Sequence, residues 1–274
     1  MRQHPKGTLI IIGGHEDKEG DQEILQHVVE QVKRLKGNLV LVTAATHLPE
    51  EVVQDYKEVF HHLGITTVDV VDVRTHEDGF KEENIKRLHE NSVLFFSGGD
   101  QLRITSQLGA SPLYQRMIDI YNQGATIVGT SAGAAAMPIT MIVSGPGDES
   151  ADNETLSMAP GLGLLPGVVI DSHFAQRGRI GRLLGTVAQN PKNLGIGIDE
   201  DTAIIVEQGA HFSVVGSRAV YVVDGSGISY SSLSESTRTG IIGLHNVKLH
   251  VLRASDCFDL ETRRPVLAAS DESL

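Results

Sequence analysis

The chain has 274 residues, 40% of them hydrophobic, with 23 basic against 35 acidic residues and a formal net charge of −12. That length suits one large α/β domain or two small ones, and the acidic balance excludes a general nucleic-acid surface while leaving room for a cationic partner. The single cysteine, Cys257, excludes an intramolecular disulfide and reads as a small apolar core residue; the apolar stretch in MRQHPKGTLIIIGG is too short for a signal-peptide core or a membrane span, so a cytoplasmic protein with no membrane partner is expected.

Residues 8–12 (TLIII), 38–42 (NLVLV), 67–73 (TVDVVDV), 92–96 (SVLFF) and 126–128 read as buried parallel strands. Between them, residues 22–36 set Ile24, Leu25, Val28, Val29, Val32 and Leu35 on one helical stripe, and 50–63 and 81–90 follow the same period. The alternation predicts an α/β fold with a doubly wound, mostly parallel sheet, whose sites lie at the carboxyl ends of strands. Gly13-Gly14, Ser97-Gly98-Gly99-Asp100 and Ser131 stand at such ends. Residues 167–170, 195–199, 202–206, 211–215, 219–223 and 246–252 read as further strands, with one helix at about 179–189. Some should extend the sheet and the rest form an antiparallel addition at its edge. The polar segment 145–154 lies inside the alternation, so residues 1–274 are expected to form a single domain, with the last dozen or so frayed.

In IVGTSAGAAAM a β-prone run meets a run of helix formers at Ser131, and Gly129 and Gly133 flank the serine at G-x-S-x-G spacing. Side chains at those two positions would collide across a sharp strand-to-helix corner, which leaves the hydroxyl exposed beside helix N–H groups. The alternative is an ordinary N-cap serine. A nucleophile also needs a base, an orienting acid and oxyanion donors. His173, one of twelve histidines, follows the apolar GVVID run and so stands at a strand end where it could face Ser131. GIGIDEDTAIIV offers Asp199, Glu200 and Asp201; Glu200 is the preferred acid, with Asp148 or Glu149 as the rival. The N–H of Ala132 is one oxyanion donor, and Gly98 or Gly99 in FFSGGDQ supplies the other, with Gly99 preferred. Arg177, Arg179 and Arg182 follow the base in an otherwise acidic chain and suggest a carboxylate clamp, while Asp171 adds the opposite sign, an arrangement that suits a zwitterionic substrate.

GTSAGA, the preceding SGGDQ, DSHFAQRGR and GIGIDEDTA together resemble the peptidase E and cyanophycinase group of serine peptidases, over nearly the whole chain from IIIGGHED to VYVVDG. The resemblance implies a cytoplasmic hydrolase on a sheet related to class I glutamine amidotransferases, with Ser131 as nucleophile, His173 as base and Glu200 as its partner. It implies substrate contacts at Gln101, Asp171, Ser172, Arg177, Arg179 and Arg182. The implied substrate is cyanophycin, poly-aspartate with arginine on each β-carboxyl, cleaved to β-Asp-Arg dipeptides, with an aspartyl dipeptide as the alternative. Ser172 departs from the family's usual glutamine before the histidine. No cofactor and no metal are expected, and the expected assembly is a homodimer.

Three rival readings differ in kind. An α/β-hydrolase esterase also uses G-x-S-x-G, but its histidine follows the acid. A nucleotide-binding module on IIIGGHED lacks G-x-G-x-x-G and sets Glu16 and Asp17 where a pyrophosphate would be repelled. A non-catalytic amidotransferase-like binder would leave Ser131 unreactive.

Overall fold

A computed structural model describes residues 5–144, 156–233 and 241–266. Chain order begins β1 (Thr8–Ile12), α1 (Glu23–Leu35), β2 (Leu39–Val42), α2 (Pro49–His62), β3 (Val68–Val71), α3 (Glu82–Lys86), β4 (Val93–Phe96), α4 (Gln101–Leu108), α5 (Pro112–Gln123), β5 (Thr126–Thr130) and α6 (Ala132–Ala135). It continues with β6 (Thr140–Ser144), β7 (Ser157–Pro160), β8 (Val168–Asp171), α7 (Ile180–Gln189), β9 (Leu194–Ile198), β10 (Thr202–Glu207), β11 (His211–Gly216) and β12 (Val220–Asp224). The short strands β13 (Tyr230–Ser231), β14 (Leu244–His245), β15 (Lys248–Leu252), β16 (Cys257–Asp259) and β17 (Arg264–Val266) close the described chain.

The nine-stranded sheet runs β17-β16-β11-β10-β1-β5-β4-β2-β3. From β1 through β5, β4 and β2 to β3 every neighbour is parallel, and from β1 outward through β10, β11, β16 and β17 every neighbour is antiparallel. β1 therefore sits where the sheet changes character, and all five of its side chains are buried. The α1 stripe read from sequence is the packed face: Ile24, Leu25, Val28, Val29 and Val32 are buried against Ile10, Ile12 and Phe95.

Three expectations change. β8, β9, β12 and β15 form a separate four-stranded sheet, β15-β12-β9-β8, rather than an edge addition to the large one. The chain passes from that sheet to the other at the corner Asp199–Asp201, where Asp201 takes a left-handed φ of 49° and opens β10 in a new direction. The helix expected over residues 81–90 ends at Lys86, after a 3₁₀ turn at His76–Phe80 that Asp78 caps through the N–H groups of Arg74 and Thr75. Two helices separate β4 from β5, because Gly109 and Ala110 interrupt the run. β16 and β17 pair as an antiparallel hairpin, and Cys257 is half-buried in it rather than in the core.

Candidate active site

Ser131 stands at the sharp corner between β5 and α6, with φ 53° and ψ −108°, a conformation a non-glycine residue holds at a cost of about 1–3 kcal/mol. The two flanking glycines are needed for the reason the spacing suggests. A methyl group at Gly129 would lie 2.5 Å from the carbonyl carbon of Gly133, and one at Gly133 would lie 2.6 Å from the carbonyl oxygen of Phe96. α6 is only four residues long, shorter than the helix-forming run implied.

The hydroxyl of Ser131 meets His173 Nε2 at 2.8 Å, and His173 Nδ1 meets Glu200 Oε1 at 2.7 Å. His173 is also left-handed, with φ 48°, and is buried. Burial pushes its pKa down; the hydrogen bond to Glu200 opposes that shift, and the charges of Arg177 and Arg179 add to it. Glu200 is held below the usual carboxylate range, first by the hydrogen bond to His173. The imidazole is thus neutral and the carboxylate ionised near neutral pH, the states a base and its orienting partner require.

One strand end holds all three segments. Ser131 N–H donates to Ile12 O at 3.1 Å, His173 N–H to Gly13 O at 2.8 Å, and Asp201 N–H to Gly14 O at 2.9 Å. Successive carbonyls after β1 therefore fix the serine, the histidine and the acidic corner against one another. Gly13 and Gly14 permit this closeness: a methyl group at Gly13 would fall 2.0 Å from Asp199 O, and one at Gly14, whose φ is +103°, would fall 2.4 Å from the His173 ring.

The three carboxylates of the corner do different things. Asp199 is buried and accepts from the N–H groups of Ala175 and Ala219. Asp201 accepts from the Asp17 N–H and the Ser217 hydroxyl. Glu200 alone of the three meets His173, and its own N–H donates to Gln176 Oε1 at 3.0 Å. Asp148 and Glu149, the rival acids, lie outside the described residues.

Two cavities meet at Ser131. The larger, about 650 Å³, is lined by His15, Asp17, Glu19, Lys18 and Arg177 among others; the smaller, about 220 Å³, by Gln101, Ala132, Ser172, Arg177, Arg179 and Arg182. Gly99 lines both, with φ +142° and no room for a side chain because Ala45 O would lie 2.2 Å away. Gly98 packs beside Ser131, a methyl group there standing 3.4 Å from Ser131 Cβ. Gln101 Nε2 donates to Ile142 O at 2.8 Å and to Val143 O at 3.3 Å. Ser172 is buried, and its carbonyl accepts from Arg179.

Asp171 differs from what the sequence implies. Its side chain is 1% exposed, Arg182 spans both its oxygens, and Arg179 adds a third contact at 3.1 Å. It is therefore not a free carboxylate facing a substrate guanidinium. Burial pulls Arg179 down to about 10 while Asp171 opposes the shift. The two arginines and one aspartate leave one net positive charge at the smaller cavity, and exposed Arg177 adds another.

The IIIGGHED segment also supplies side chains around the site. Glu16 is buried behind the corner, accepting from Thr130 Oγ1 at 2.6 Å and from the Tyr56 hydroxyl. His15 stands edge-on to His173 with ring centroids 5.3 Å apart. The only sequence signal for either was the position of the segment at a strand end.

A neutral imidazole on a serine hydroxyl can take its proton as the oxygen attacks a carbonyl, which is the chemistry of serine hydrolases. Comparison with known proteins narrows the class. The pattern of peptidase family S51 matches residues 9–214, and the chain belongs to that family of serine peptidases. The cyanophycinase of Geminocystis herdmanii is 34% identical over 267 residues, covering 97% of this chain and 98% of the relative. The cyanophycinases of Thermosynechococcus vestitus and Trichormus variabilis are each 34% identical, covering 94% and 95% of this chain and 81% and 88% of theirs. Among solved structures, a peptidase from an acI-B1 Actinobacterium shares the fold with a TM-score of 0.67 at 19% identity, over 94% of this chain and 98% of that one.

Proposed function

We propose that this peptidase hydrolyses cyanophycin to β-Asp-Arg dipeptides, with Ser131 as nucleophile, His173 as general base and Glu200 as its orienting acid. Ser131 Oγ attacks the carbonyl carbon while His173 Nε2 takes its proton, and the N–H groups of Ala132 and Gly99 receive the oxyanion. His173 then gives the proton to the leaving amine; in the second half water attacks the acyl carbon as His173 takes its proton, and that proton passes to Ser131 Oγ as the ester bond breaks. The observation that carries this reading is the Ser131–His173–Glu200 chain of 2.8 and 2.7 Å contacts where the two cavities meet.

Each cyanophycin repeat bears a free α-carboxylate and a guanidinium. The smaller cavity suits the carboxylate, since Arg177, Arg179 and Arg182 outnumber Asp171 there. Asp17 and Glu19 line the larger cavity, and Asp17 is kept ionised chiefly by backbone N–H groups of Gln22, Gly20 and Glu19, so that side suits the guanidinium. A core containing Leu9 and Val40 of one sheet and Ile196 and Val220 of the other supports a single domain over the whole chain. A cytoplasmic homodimer completes the reading; exposed Leu249 and Val251 on the edge strand β15 are consistent with an interface.

The test is to incubate the protein separately with cyanophycin, poly-aspartate and aspartyl dipeptides and identify products by mass spectrometry. β-Asp-Arg from cyanophycin is expected. Cleavage of the dipeptides with intact cyanophycin would assign an aspartyl dipeptidase instead.

A further inference from the structure

His15 has no part in the proton transfers above, yet it lies against them. It follows Gly14 with a left-handed φ of 47°, its side chain is 73% exposed, and its Nδ1 stands 4.0 Å from Glu200 Oε2, the oxygen that His173 leaves open. One donor atom from each of His15, His173 and Glu200 lies within 4.8 Å of the other two. Zinc bonds of about 2.0–2.2 Å in a tetrahedral shell put neighbouring donors roughly 3.3–3.6 Å apart, so closing the site takes an inward swing of the exposed His15 ring from 4.0 Å and an opening of the 2.7 Å His173–Glu200 contact by about 0.6 Å. Two imidazoles and a carboxylate form a donor set that zinc takes readily, with water in the fourth position.

We infer that His15, His173 and Glu200 form an inhibitory site for a borderline divalent cation of the zinc type. The consequence follows from the tautomer. In the resting state His173 carries its proton on Nδ1, bonded to Glu200, and keeps the Nε2 lone pair for Ser131. A cation on Nδ1 displaces the proton from that nitrogen and takes up its lone pair, and the single ring proton then sits on Nε2, where it faces Ser131 Oγ. No proton is gained or lost by the ring; it is held on the side that must be empty for a base. Glu200 exchanges an N–H partner for the cation at the same time. His15 supplies the third ligand, and without it only the two groups of the resting hydrogen bond remain.

The binding half of this inference is independent of the peptidase reading, whereas the inhibitory half rests on His173 as base. The experiment therefore has two arms. In the first, chelator-treated full-length protein is titrated with Co²⁺ while its visible absorption is followed, and Zn²⁺ is added to displace it. In the second, cyanophycin hydrolysis is measured against Zn²⁺, with each variant normalised to its own metal-free rate. His15→Ala and His15→Asn are compared with the parent, since asparagine tolerates the left-handed backbone. His211→Ala, which alters a surface histidine beside Glu207, is the control. The parent should give a four-coordinate cobalt band and lose activity to Zn²⁺, with recovery on adding chelator. Both His15 variants should lose the band and need about tenfold more Zn²⁺, or beyond, for half-inhibition, while His211→Ala follows the parent. Equal cobalt binding in parent and His15 variants, or no binding in the parent, overturns the site. Binding through His15 with hydrolysis unaffected overturns its inhibitory role alone. Absence of any cyanophycin hydrolysis without metal counts against the substrate reading and leaves the cobalt arm to decide the site.

Discussion

Asp199, Glu200 and Asp201 are chemically near-equivalent and adjacent, so only their partners can assign their roles. Asp199 and Asp201 spend their oxygens on backbone N–H groups and a hydroxyl, and Glu200 spends one on His173. Glu200→Gln should lower turnover by roughly ten-thousand-fold with little change in KM, as loss of the orienting carboxylate does in serine peptidases generally. Asp199→Asn and Asp201→Asn should instead lower the melting temperature and cost turnover far less. Steady-state kinetics beside thermal melts separate the two, and a large kcat loss in Asp201→Asn with Glu200→Gln near normal would reverse the assignment. The proposed base makes a second prediction. In that role His173 must be neutral to act, and burial, reinforced by Arg177 and Arg179, holds its pKa below the ordinary histidine range despite Glu200. The acid limb of kcat/KM, which reports the free enzyme, should therefore lie below that range, with activity lost as pH falls through the lowered value. Arg177→Gln removes one of the charges that disfavour imidazolium, so its acid limb should move to higher pH; an unmoved limb would remove Arg177 from the base's electrostatics.

The end of β1 organises the site at the level of elements, because three successive carbonyls there hold the segments bearing Ser131, His173 and the acidic corner. Gly14→Ala tests this directly. Its methyl group would enter the His173 ring space at 2.4 Å on a backbone of φ +103°. Displacing the imidazole by about 1 Å costs on the order of a hundredfold in turnover. The expected result is a kcat loss of that size with a cooperative fold retained by circular dichroism, and a normal kcat would show that the ring has room to spare. The G-x-S-x-G corner, the His173 strand end and the GIGIDED turn were legible in the sequence because each is a local pattern: small residues at fixed spacing, and polar residues ending an apolar run. What joins them was not. The carbonyls of Ile12, Gly13 and Gly14 bond to residues more than 100 positions away, and backbone groups leave no mark on residue type. The separate sheet of β8, β9, β12 and β15 escaped for a related reason, since its strands are as short and apolar as those of the main sheet and only pairing tells them apart. Asp171 misled because a carboxylate among arginines reads the same whether it faces a ligand or neutralises its neighbours; its 1% exposure decides for the second.

Under the proposed function, the relevant quantity for the whole molecule is the long-range field of a chain with net charge −12 acting on a polymer substrate drawn to a site with local positive charge. Cyanophycin is neutral per repeat, so that field neither attracts nor repels it strongly. Poly-aspartate is a polyanion and is repelled at distance, while its carboxylates would still be gripped by Arg177, Arg179 and Arg182 on arrival. The two effects respond differently to salt. Screening acts over about 10 Å at 0.1 M ionic strength and so removes the distant repulsion first, whereas contacts in a partly desolvated cavity are screened much less. Poly-aspartate used as a competitor of cyanophycin hydrolysis should therefore inhibit more strongly as salt rises from low to moderate concentration, while kcat/KM for cyanophycin alone changes little. Both quantities come from one set of initial-rate measurements at several ionic strengths. Inhibition that weakens steadily with salt would mean that cations on the open surface, not the half-buried Arg179 and Arg182 of the smaller cavity, govern how the polymer is met.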